Sequence, residues 1–160
     1  MTRRLIYVMG PSGAGKDSVL GWLRSALPAG SPVAWARRTI TRAADAGGET
    51  HEPVDATEFE ALQAAGAFAM AWQANGLRYG IRREQLAPAQ QGRWVWVNGS
   101  REYLDEALHR HPGMTVVHIT APATVLEQRL LARGRETPEQ VRARVARATA
   151  LATRPGTIEI

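Results

Sequence analysis

Near its start the chain reads Gly10-Pro11-Ser12-Gly13-Ala14-Gly15-Lys16, a glycine-rich run that ends in the only lysine of the protein. Apart from its histidines, all other basic residues of the chain are arginines. The spacing Gly-x-x-x-x-Gly-Lys is the P-loop pattern, in which backbone N–H groups surround a phosphate chain and the lysine reaches between two phosphates. The run therefore predicts a nucleoside triphosphate site. The predicted nucleotide contacts are Gly10, Pro11, Ser12, Gly13, Ala14, Gly15, Lys16, Asp17 and Ser18.

The segments on either side of this loop are those that a P-loop requires. Residues 4–9 form a short apolar run rich in β-formers, which predicts a buried parallel strand. After Lys16 apolar residues recur at helical spacing until Pro28 and Gly30 end the pattern. A phosphate in the loop would lie at a helix N-terminus, where unpaired N–H groups and the helix dipole favour negative charge. An ordinary glycine turn is the alternative, but it explains neither the lysine nor the flanking elements.

The residue after the lysine departs from the usual pattern. A serine or threonine hydroxyl normally binds Mg²⁺ at that position, whereas this chain has Asp17 followed by Ser18. Mg²⁺ accepts carboxylate oxygens readily, so Asp17 is the candidate metal ligand. Alternatively, Asp17 only stabilises the positive end of the helix.

Composition and length limit the class of protein. With 160 residues, 44% of them apolar and 22% charged, the chain is expected to form one globular domain with a proper core. The absence of cysteine excludes disulfides and cysteine metal sites. No apolar run approaches the ~20 residues of a membrane span, and the first one leads into the P-loop, so we expect a cytoplasmic protein without a membrane partner. The net charge of +5 comes from scattered arginines, which favours a small polyanionic substrate over nucleic acid.

Strands and helices alternate along the rest of the chain, which predicts a parallel sheet covered by helices on both faces. Further strands are predicted at 33–38, 94–97, 114–120 and 157–160. The polar stretch from 39 to about 83 carries one predicted helix, capped by Asp55, with Phe59 and Leu62 on one face. The other predicted helices begin at Ser100, before Val125 and at the capping box Thr137-Pro138-Glu139-Gln140, and Gly134 separates the last two.

The tryptophans are expected to be core or strand residues and not a stacking platform. They are Trp22, Trp35, Trp72, Trp94 and Trp96. Trp94 and Trp96 alternate along one predicted strand, as packing on one face of a sheet requires.

The P-loop and several later motifs resemble those of guanylate kinases. The matching residues are Thr41-Arg42, Gly48-Glu49, Phe59, Gly66-Ala67-Phe68, Gly76, Tyr79-Gly80, Arg129, Arg133-Gly134 and Arg144. The resemblance covers essentially the whole chain. It implies an α/β P-loop NTPase of guanylate-kinase-like fold, with a parallel sheet core, flanking helices, a substrate-binding insert and a lid. The implied single kinase domain spans 1–160, with its core at 1–36 and 85–160, its insert at about 37–84 and its lid at about 133–140.

Positions that help to read guanine in guanylate kinases differ in this chain. By the flanking motifs, a tyrosine and a glutamate of the insert are replaced by His51 and Met70. A thioether cannot accept the N–H groups of a base as a carboxylate does. The second arginine of an Arg-x-x-Arg element appears as Asp45, and the acidic end of the third strand has become Asn98-Gly99-Ser100-Arg101. The guanine-reading set is therefore lost.

This combination is similar to one subfamily, the ribose 1,5-bisphosphate phosphokinases of bacterial phosphonate use. The similar motifs are Gly15-Lys16-Asp17-Ser18, Arg38-Thr39-Ile40-Thr41-Arg42, His51-Glu52-Pro53-Val54-Asp55, Leu77-Arg78-Tyr79-Gly80 and Val97-Asn98-Gly99-Ser100-Arg101. The resemblance implies phosphorylation of ribose 1,5-bisphosphate to 5-phosphoribosyl 1-diphosphate (PRPP), with ATP and Mg²⁺ as cofactors. Because that substrate has no base, it needs no guanine reader.

The resemblance also implies which residues act on the transferred group. Lys16 and Mg²⁺ would hold the β- and γ-phosphates, and the guanylate-kinase lid arginines correspond to Arg129, Arg133 and Arg144. For Arg129 and Arg144 the alternative is a solvated helix face with local ion pairs, for example from Arg129 to Glu127 or Glu136. A phosphate monoester with a second pKa of about 6 is already ionised at neutral pH, so the acceptor needs no general base.

A second group of residues is predicted to bind the acceptor. It comprises Arg42, Tyr79, Arg78, Glu49, Asn98, Ser100 and Arg101. Arg42 would clamp a phosphate, with a surface turn arginine as the alternative, and Tyr79 would either donate its hydroxyl to a phosphate or only pack. Asn98 and Ser100 lie at the carboxyl end of a strand, where open α/β sheets bind ligands. Asp55 and His51 are possible sugar contacts, with a helix cap and a structural histidine as the alternatives.

Two other functions stay open at this point. One is a nucleoside monophosphate kinase with altered base choice, against which Met70 and His51 argue. The other is a guanylate-kinase-like binding module without catalysis. Lys16 and the lid arginines argue against the module, because a scaffold has no use for them.

Overall fold

The computed structural model describes residues 4–11, 13–43, 50–150 and 157–160, of which 149 and 150 are described by backbone alone. The chain divides into two compact units. Unit 1 comprises Met1–Tyr7 and Ala29–Thr115, and unit 2 comprises Val8–Pro28 and Val116–Ile160. Strand β1 (Leu5–Met9) is therefore shared between the two units.

Unit 2 carries the glycine-rich loop between β1 and helix α1 (Lys16–Ala26). Apolar β1 residues are buried, and Leu20 is the buried residue of α1, so the loop is held between a core strand and an amphipathic helix. Here strand β8 (Thr115–His118) lies between β1 and the parallel strand β9 (Ile158–Glu159).

Helices α5 (Ala123–Arg133) and α6 (Pro138–Ala150) complete unit 2 and pack on each other. Gly134 ends α5 in the left-handed conformation, at φ 64°. The reciprocal bonds of a capping box open α6, from the Thr137 N–H to Gln140 Oε1 at 2.9 Å and from the Gln140 N–H to Thr137 Oγ1 at 3.2 Å.

Unit 1 contains the parallel strand pair β2 (Val33–Trp35) and β7 (Trp94–Asn98). Strand β7 lies between β2 and β1, and its Val95 and Val97 are fully buried. Trp35 and Trp96 stack on the other face with ring centroids 5.4 Å apart. This arrangement brings the carboxyl end of β7, and Asn98 with it, next to β1.

A second sheet of unit 1 has the strand order β4-β3-β6-β5. Its strands are β3 (Arg38–Ile40), β4 (Glu52–Pro53), β5 (Phe68–Ala74) and β6 (Leu77–Arg82). The hairpin β5–β6 turns at Asn75 and Gly76, with φ values of 53° and 75°. Helix α2 (Ala56–Ala64) packs on this sheet through the stacked rings of Phe59 and Phe68, 4.7 Å apart.

The remaining elements of unit 1 are helix α3 (Arg83–Leu86), the 3₁₀ helix Ala87–Gln91 and helix α4 (Leu104–Arg110). Leu104 and Ala107 are the buried residues of α4. Among the helices that the structure describes, none has the length and apolar character needed to cross a membrane.

The elements around the glycine-rich loop and the C-terminal elements confirm the sequence predictions, and Asp55 does cap α2. Three predictions were wrong. The second strand ends at Trp35, since Arg38 belongs to the other sheet. Ser100 does not cap α4, whose N-terminal flanking residue is Tyr103 without a side-chain cap bond. Trp22 is 67% exposed on α1 and is not a core residue.

Candidate active site

The glycine-rich loop reaches the N-terminus of α1 through a left-handed residue. Gly15 occupies the position before the helix at φ 90° and, as a glycine, contributes no side-chain cap. A residue with a β-carbon rarely adopts this conformation, so glycine suits the site. The backbone N–H groups of a first helical turn, together with the helix dipole, are the arrangement that binds an anion at a helix N-terminus. Of the predicted nucleotide contacts, Ser12 lies outside the described residues.

Lys16 and Asp17 are the first two residues of α1, and Ser18 follows them. Lys16 is half-buried, whereas Asp17 and Ser18 are exposed. An exposed carboxylate in the first helical turn suits both interpretations of Asp17, as a metal ligand and as a partner of the helix dipole. No group of three or more acidic or histidine side chains able to hold a metal occurs in the described part of the chain. Asp17 as a Mg²⁺ ligand therefore stays a prediction.

The three arginines predicted for the lid have different surroundings in unit 2. Arg129 Nη1 donates to the carbonyl oxygen of Gly13 at 2.7 Å, so this guanidinium lies on the glycine-rich loop. Arg144 Nη2 lies 3.0 Å from Glu136 Oε1, the kind of local ion pair that the alternative interpretation expects. Arg133 is exposed at the end of α5. The catalytic roles of all three stay predictions.

Unit 1 contains a pocket of about 260 Å³ beside Arg42. We call it the Arg42 pocket; it is lined by Thr41, Arg42, Ala43, Pro53, Val54, Asp55 and Glu58. Asp55 accepts the N–H of Glu58 at 2.8 Å, so its carboxylate caps α2 at the edge of this pocket. One cation and two carboxylates around a small open cavity suit a phosphorylated, hydroxyl-bearing molecule. Glu49, also predicted to bind the acceptor, lies outside the described residues, as does Asp45.

The backbone of Arg42 is fixed by buried neighbours. His51 is 3% exposed, and its Nε2 donates to the Arg42 carbonyl oxygen at 2.9 Å, since a carbonyl only accepts. Arg37 Nη2 in turn donates to the His51 carbonyl oxygen at 3.0 Å. The structure thus gives His51 the structural role that was the alternative to a sugar contact. Met70 is 1% exposed and packs in the core of the small sheet.

Arg78 and Tyr79 on β6 are both engaged within the small sheet. Arg78 Nη1 pairs with Glu60 Oε1 at 3.1 Å, and its backbone N–H donates to Thr41 Oγ1 at 2.9 Å. The Tyr79 ring stacks on Trp72 at 5.6 Å and nearly parallel, 2° apart, and the Arg38 guanidinium carbon lies 5.3 Å from the ring centroid. The packing role of the Tyr79 ring is therefore present, and a role for its hydroxyl stays a prediction.

The segment Asn98–Arg101, which begins at the last residue of β7, contains three predicted acceptor contacts. Asn98 is 4% exposed and Arg101 is half-buried. Burial lowers the pKa of the Arg101 guanidinium, although Glu102 acts in the opposite direction, and the group remains a cation at neutral pH. Partial desolvation strengthens the attraction of such a cation for an anionic ligand.

Tyr7 is a residue of this region that the sequence interpretation missed. Its hydroxyl donates to the Ser100 carbonyl oxygen at 2.6 Å and accepts the Ser100 N–H at 2.9 Å. Burial raises the pKa of this phenol well above its ordinary value. The hydroxyl therefore keeps the proton that it donates to the Ser100 carbonyl throughout the physiological pH range. A tyrosine in an apolar strand signals that its hydroxyl needs a partner, but the sequence does not say which.

Comparisons with known proteins agree on a class and on a family. The structure is similar to the crystal structure of guanylate kinase from Anaplasma phagocytophilum, with a TM-score of 0.68, 16% identity and coverage of 98% of this chain and 74% of that chain. The sheet core with its flanking helices and the glycine-rich loop therefore define an α/β P-loop protein with the guanylate kinase fold. A scan against models of protein families gave no match.

Sequence comparison is more specific. The chain is 45% identical over 157 residues to the ribose 1,5-bisphosphate phosphokinase PhnN of Thiobacillus denitrificans, covering 98% of this chain and 83% of that protein. It is 51% identical over 148 residues to the PhnN of Pseudomonas paraeruginosa, covering 92% and 79%. The chain belongs to the ribose 1,5-bisphosphate phosphokinase family.

Proposed function

We propose that the protein transfers the γ-phosphoryl group of ATP to the 1-phosphate of ribose 1,5-bisphosphate, giving 5-phosphoribosyl 1-diphosphate and ADP. The observation that carries this proposal is the identity of 45 to 51% with relatives of that name over most of their length. Burial of His51 and Met70 supports it further, because neither side chain is exposed to read a base.

Unit 2 supplies the nucleotide side of the reaction. The N–H groups at the start of α1 and the Lys16 ammonium bind the triphosphate, and Arg129, Arg133 and Arg144 stabilise the charge that develops on the transferred group. The residues present fit Mg²⁺, because this ion is usually held by one or two carboxylates plus substrate phosphates and keeps several waters. Asp17 is its proposed protein ligand, and the bound ion would neutralise charge on the β- and γ-phosphates.

Unit 1 supplies the acceptor side. Arg42 with its fixed backbone binds one phosphate, and Arg101 at the end of β7 binds the other, with Arg78 and the Tyr79 hydroxyl as further donors. Asn98, Ser100 and Glu49 orient the sugar through hydrogen bonds. Asp55 keeps its cap on α2, which fixes that edge of the Arg42 pocket.

The chemical step needs positioning more than proton transfer. An oxygen of the ionised 1-phosphate attacks the γ-phosphorus, the bond from that phosphorus to the bridging β–γ oxygen breaks, and ADP leaves with the electron pair. At neutral pH the acceptor oxygen carries no proton to remove, since the second pKa of a phosphate monoester is about 6. The task of the protein is therefore to hold two anions together against their repulsion, which explains the arginines in both units.

A panel of acceptors tests the proposal. Purified protein is given Mg²⁺-ATP with ribose 1,5-bisphosphate, GMP, AMP or dGMP, and ADP release is followed for each. We expect the highest kcat/KM with the sugar bisphosphate and loss of turnover when Mg²⁺ is chelated. Faster turnover of GMP would instead identify a nucleoside monophosphate kinase, and silence with every acceptor would identify a binding module.

A further inference from the structure

One side chain of β1 satisfies both backbone groups of a single residue in the segment Asn98–Arg101. The Tyr7 hydroxyl is at once the donor to the Ser100 carbonyl, at 2.6 Å, and the acceptor of the Ser100 N–H, at 2.9 Å. Tyr7 is itself fully buried in β1. A rigid ring in a core strand therefore determines where the backbone of Ser100 lies, beyond what the end of β7 determines.

Gly99 makes this contact possible. A β-carbon at position 99 would lie 2.1 Å from Tyr7 Cζ and 2.5 Å from its hydroxyl oxygen, closer than any non-bonded atoms approach. The segment therefore wraps directly over the end of the ring, and any side chain at this position would force the two apart.

The far end of the same segment is also held. Tyr103, two residues after Arg101, stacks on Trp72 with centroids 5.4 Å apart and bonds to the Ala71 backbone. Arg101 thus stands between two fixed points, Ser100 and Tyr103. Since the backbone on both sides of Arg101 is already ordered, binding of an anion by this residue costs less backbone conformational entropy, which favours preorganisation.

We propose that Tyr7 is a positioning residue for the acceptor, which holds the segment Asn98–Arg101 in the shape that binds a phosphate of the sugar. This inference rests on the proposed function and adds a residue that touches neither the sugar nor the nucleotide. Tyr7 acts through the backbone of Ser100, so removal of its hydroxyl weakens acceptor binding more than nucleotide binding.

Tyr7→Phe tests the proposal, because it removes the hydroxyl and keeps the ring in the core. We expect the KM for ribose 1,5-bisphosphate to rise about tenfold, the factor that ~1.4 kcal/mol gives, while the KM for ATP changes by less than about twofold. Calorimetric titration of ribose 1,5-bisphosphate into the protein without nucleotide should show the same weakening.

Ser25→Ala is the matched control. It also removes one hydroxyl bonded to a backbone carbonyl, that of Gly21 at 3.3 Å, but on the exposed face of α1. Both Michaelis constants should match those of the wild type. Gly99→Ala is a second variant that should weaken acceptor binding, because the added methyl group displaces Ser100 from an intact Tyr7. The thermal unfolding of this variant shows whether a folding defect, and not a positioning defect, causes the change.

A selective rise of the acceptor KM in Tyr7→Phe supports the inference, and the same rise in Gly99→Ala supports it further. An unchanged acceptor KM in Tyr7→Phe overturns it, whatever Gly99→Ala shows. Equal changes in both Michaelis constants, or a fall in kcat alone, overturn it and leave the proposed function intact. If the wild type does not turn over ribose 1,5-bisphosphate at all, the proposed function fails, and the inference fails with it.

Discussion

Lys16 is the residue on which the predicted nucleotide site most depends. It is the only lysine in a chain whose other cations of permanent charge are arginines, and it begins α1 at the end of the glycine-rich loop. A compact ammonium is a point charge, whereas arginine presents a planar fork. Because Lys16 is half-buried and lies outside the core, its expected task is to bind phosphate.

Lys16→Ala should abolish phosphoryl transfer without unfolding the protein. We expect kcat to fall by about a hundredfold or more, since a lost contact to developing charge costs that much in other enzymes. Arg24→Ala removes a cation from the exposed face of the same helix and should leave kcat unchanged. Near-normal turnover by Lys16→Ala, measured as ADP release, would refute the assignment.

The burial of Met70 agrees with the prediction that this residue does not read a base. The sequence places Met70 where guanylate kinases have a base-reading glutamate, and the structure places it at 1% exposure. Met70→Glu should therefore not create GMP kinase activity, because an unpaired carboxylate there is buried away from any ligand and destabilises the fold. Met70→Leu conserves volume and should unfold near the wild-type temperature. A folded Met70→Glu protein that phosphorylates GMP would show that the position does face a ligand.

At the scale of elements, patterns with a local cause were predictable. The capping box at Thr137 and the cap at Asp55 both formed as expected, because each needs only residues within one helical turn. The strand, loop and helix around Lys16 were predictable because their order along the chain is itself the P-loop pattern. In contrast, Ser100 resembled a cap in sequence, but its backbone is bonded to Tyr7, 93 residues away.

The small sheet of unit 1 was missed, although one signal for it existed. Asn75-Gly76 between two apolar runs is the strongest short-range indication of a hairpin, and it does form the β5–β6 turn. Strands β3 and β4 have only three and two residues, too few to show an alternating pattern. The burial of His51 and Met70 depends on this sheet, which is why the sequence did not predict it.

The contribution of the Asp55 cap to stability can be measured within α2. Asp55→Ala should lower the free energy of unfolding by about 1 kcal/mol, because the bond to the Glu58 N–H is lost, whereas Asp55→Asn should cost little, since asparagine caps equally well. Urea denaturation of both variants measures this. If asparagine lowers stability as much as alanine, the carboxylate charge and not the cap is what matters.

At the scale of the whole molecule, global stability should depend on His111 below neutral pH. Both of its ring nitrogens are buried without a hydrogen-bond partner within the described chain. Burial, together with the charges of Arg110 and Arg83, lowers its pKa below the usual 6.5. Near and below pH 6.5 the unfolded chain binds a proton that the folded chain resists, so stability falls on acidification through this window.

His111→Phe should therefore flatten the loss of thermal stability between pH 7 and pH 5. His109→Phe is the control, because it removes an exposed imidazole from the last turn of α4. Melting temperatures of the three proteins across this range measure the effect. A pH dependence as steep in His111→Phe as in the wild type would contradict the assignment.

Each unit carries one feature that a sugar bisphosphate kinase needs: unit 2 has the glycine-rich loop, and unit 1 has the Arg42 pocket. The most direct measurement is the identity of the product by ³¹P nuclear magnetic resonance, with Mg²⁺-ATP and ribose 1,5-bisphosphate as reactants. We predict that the phosphate on C1 becomes a diphosphate while the C5 monoester persists, in step with ADP formation. ADP formation without a diphosphate on C1, or a diphosphate that forms on GMP and not on the sugar, would contradict the account.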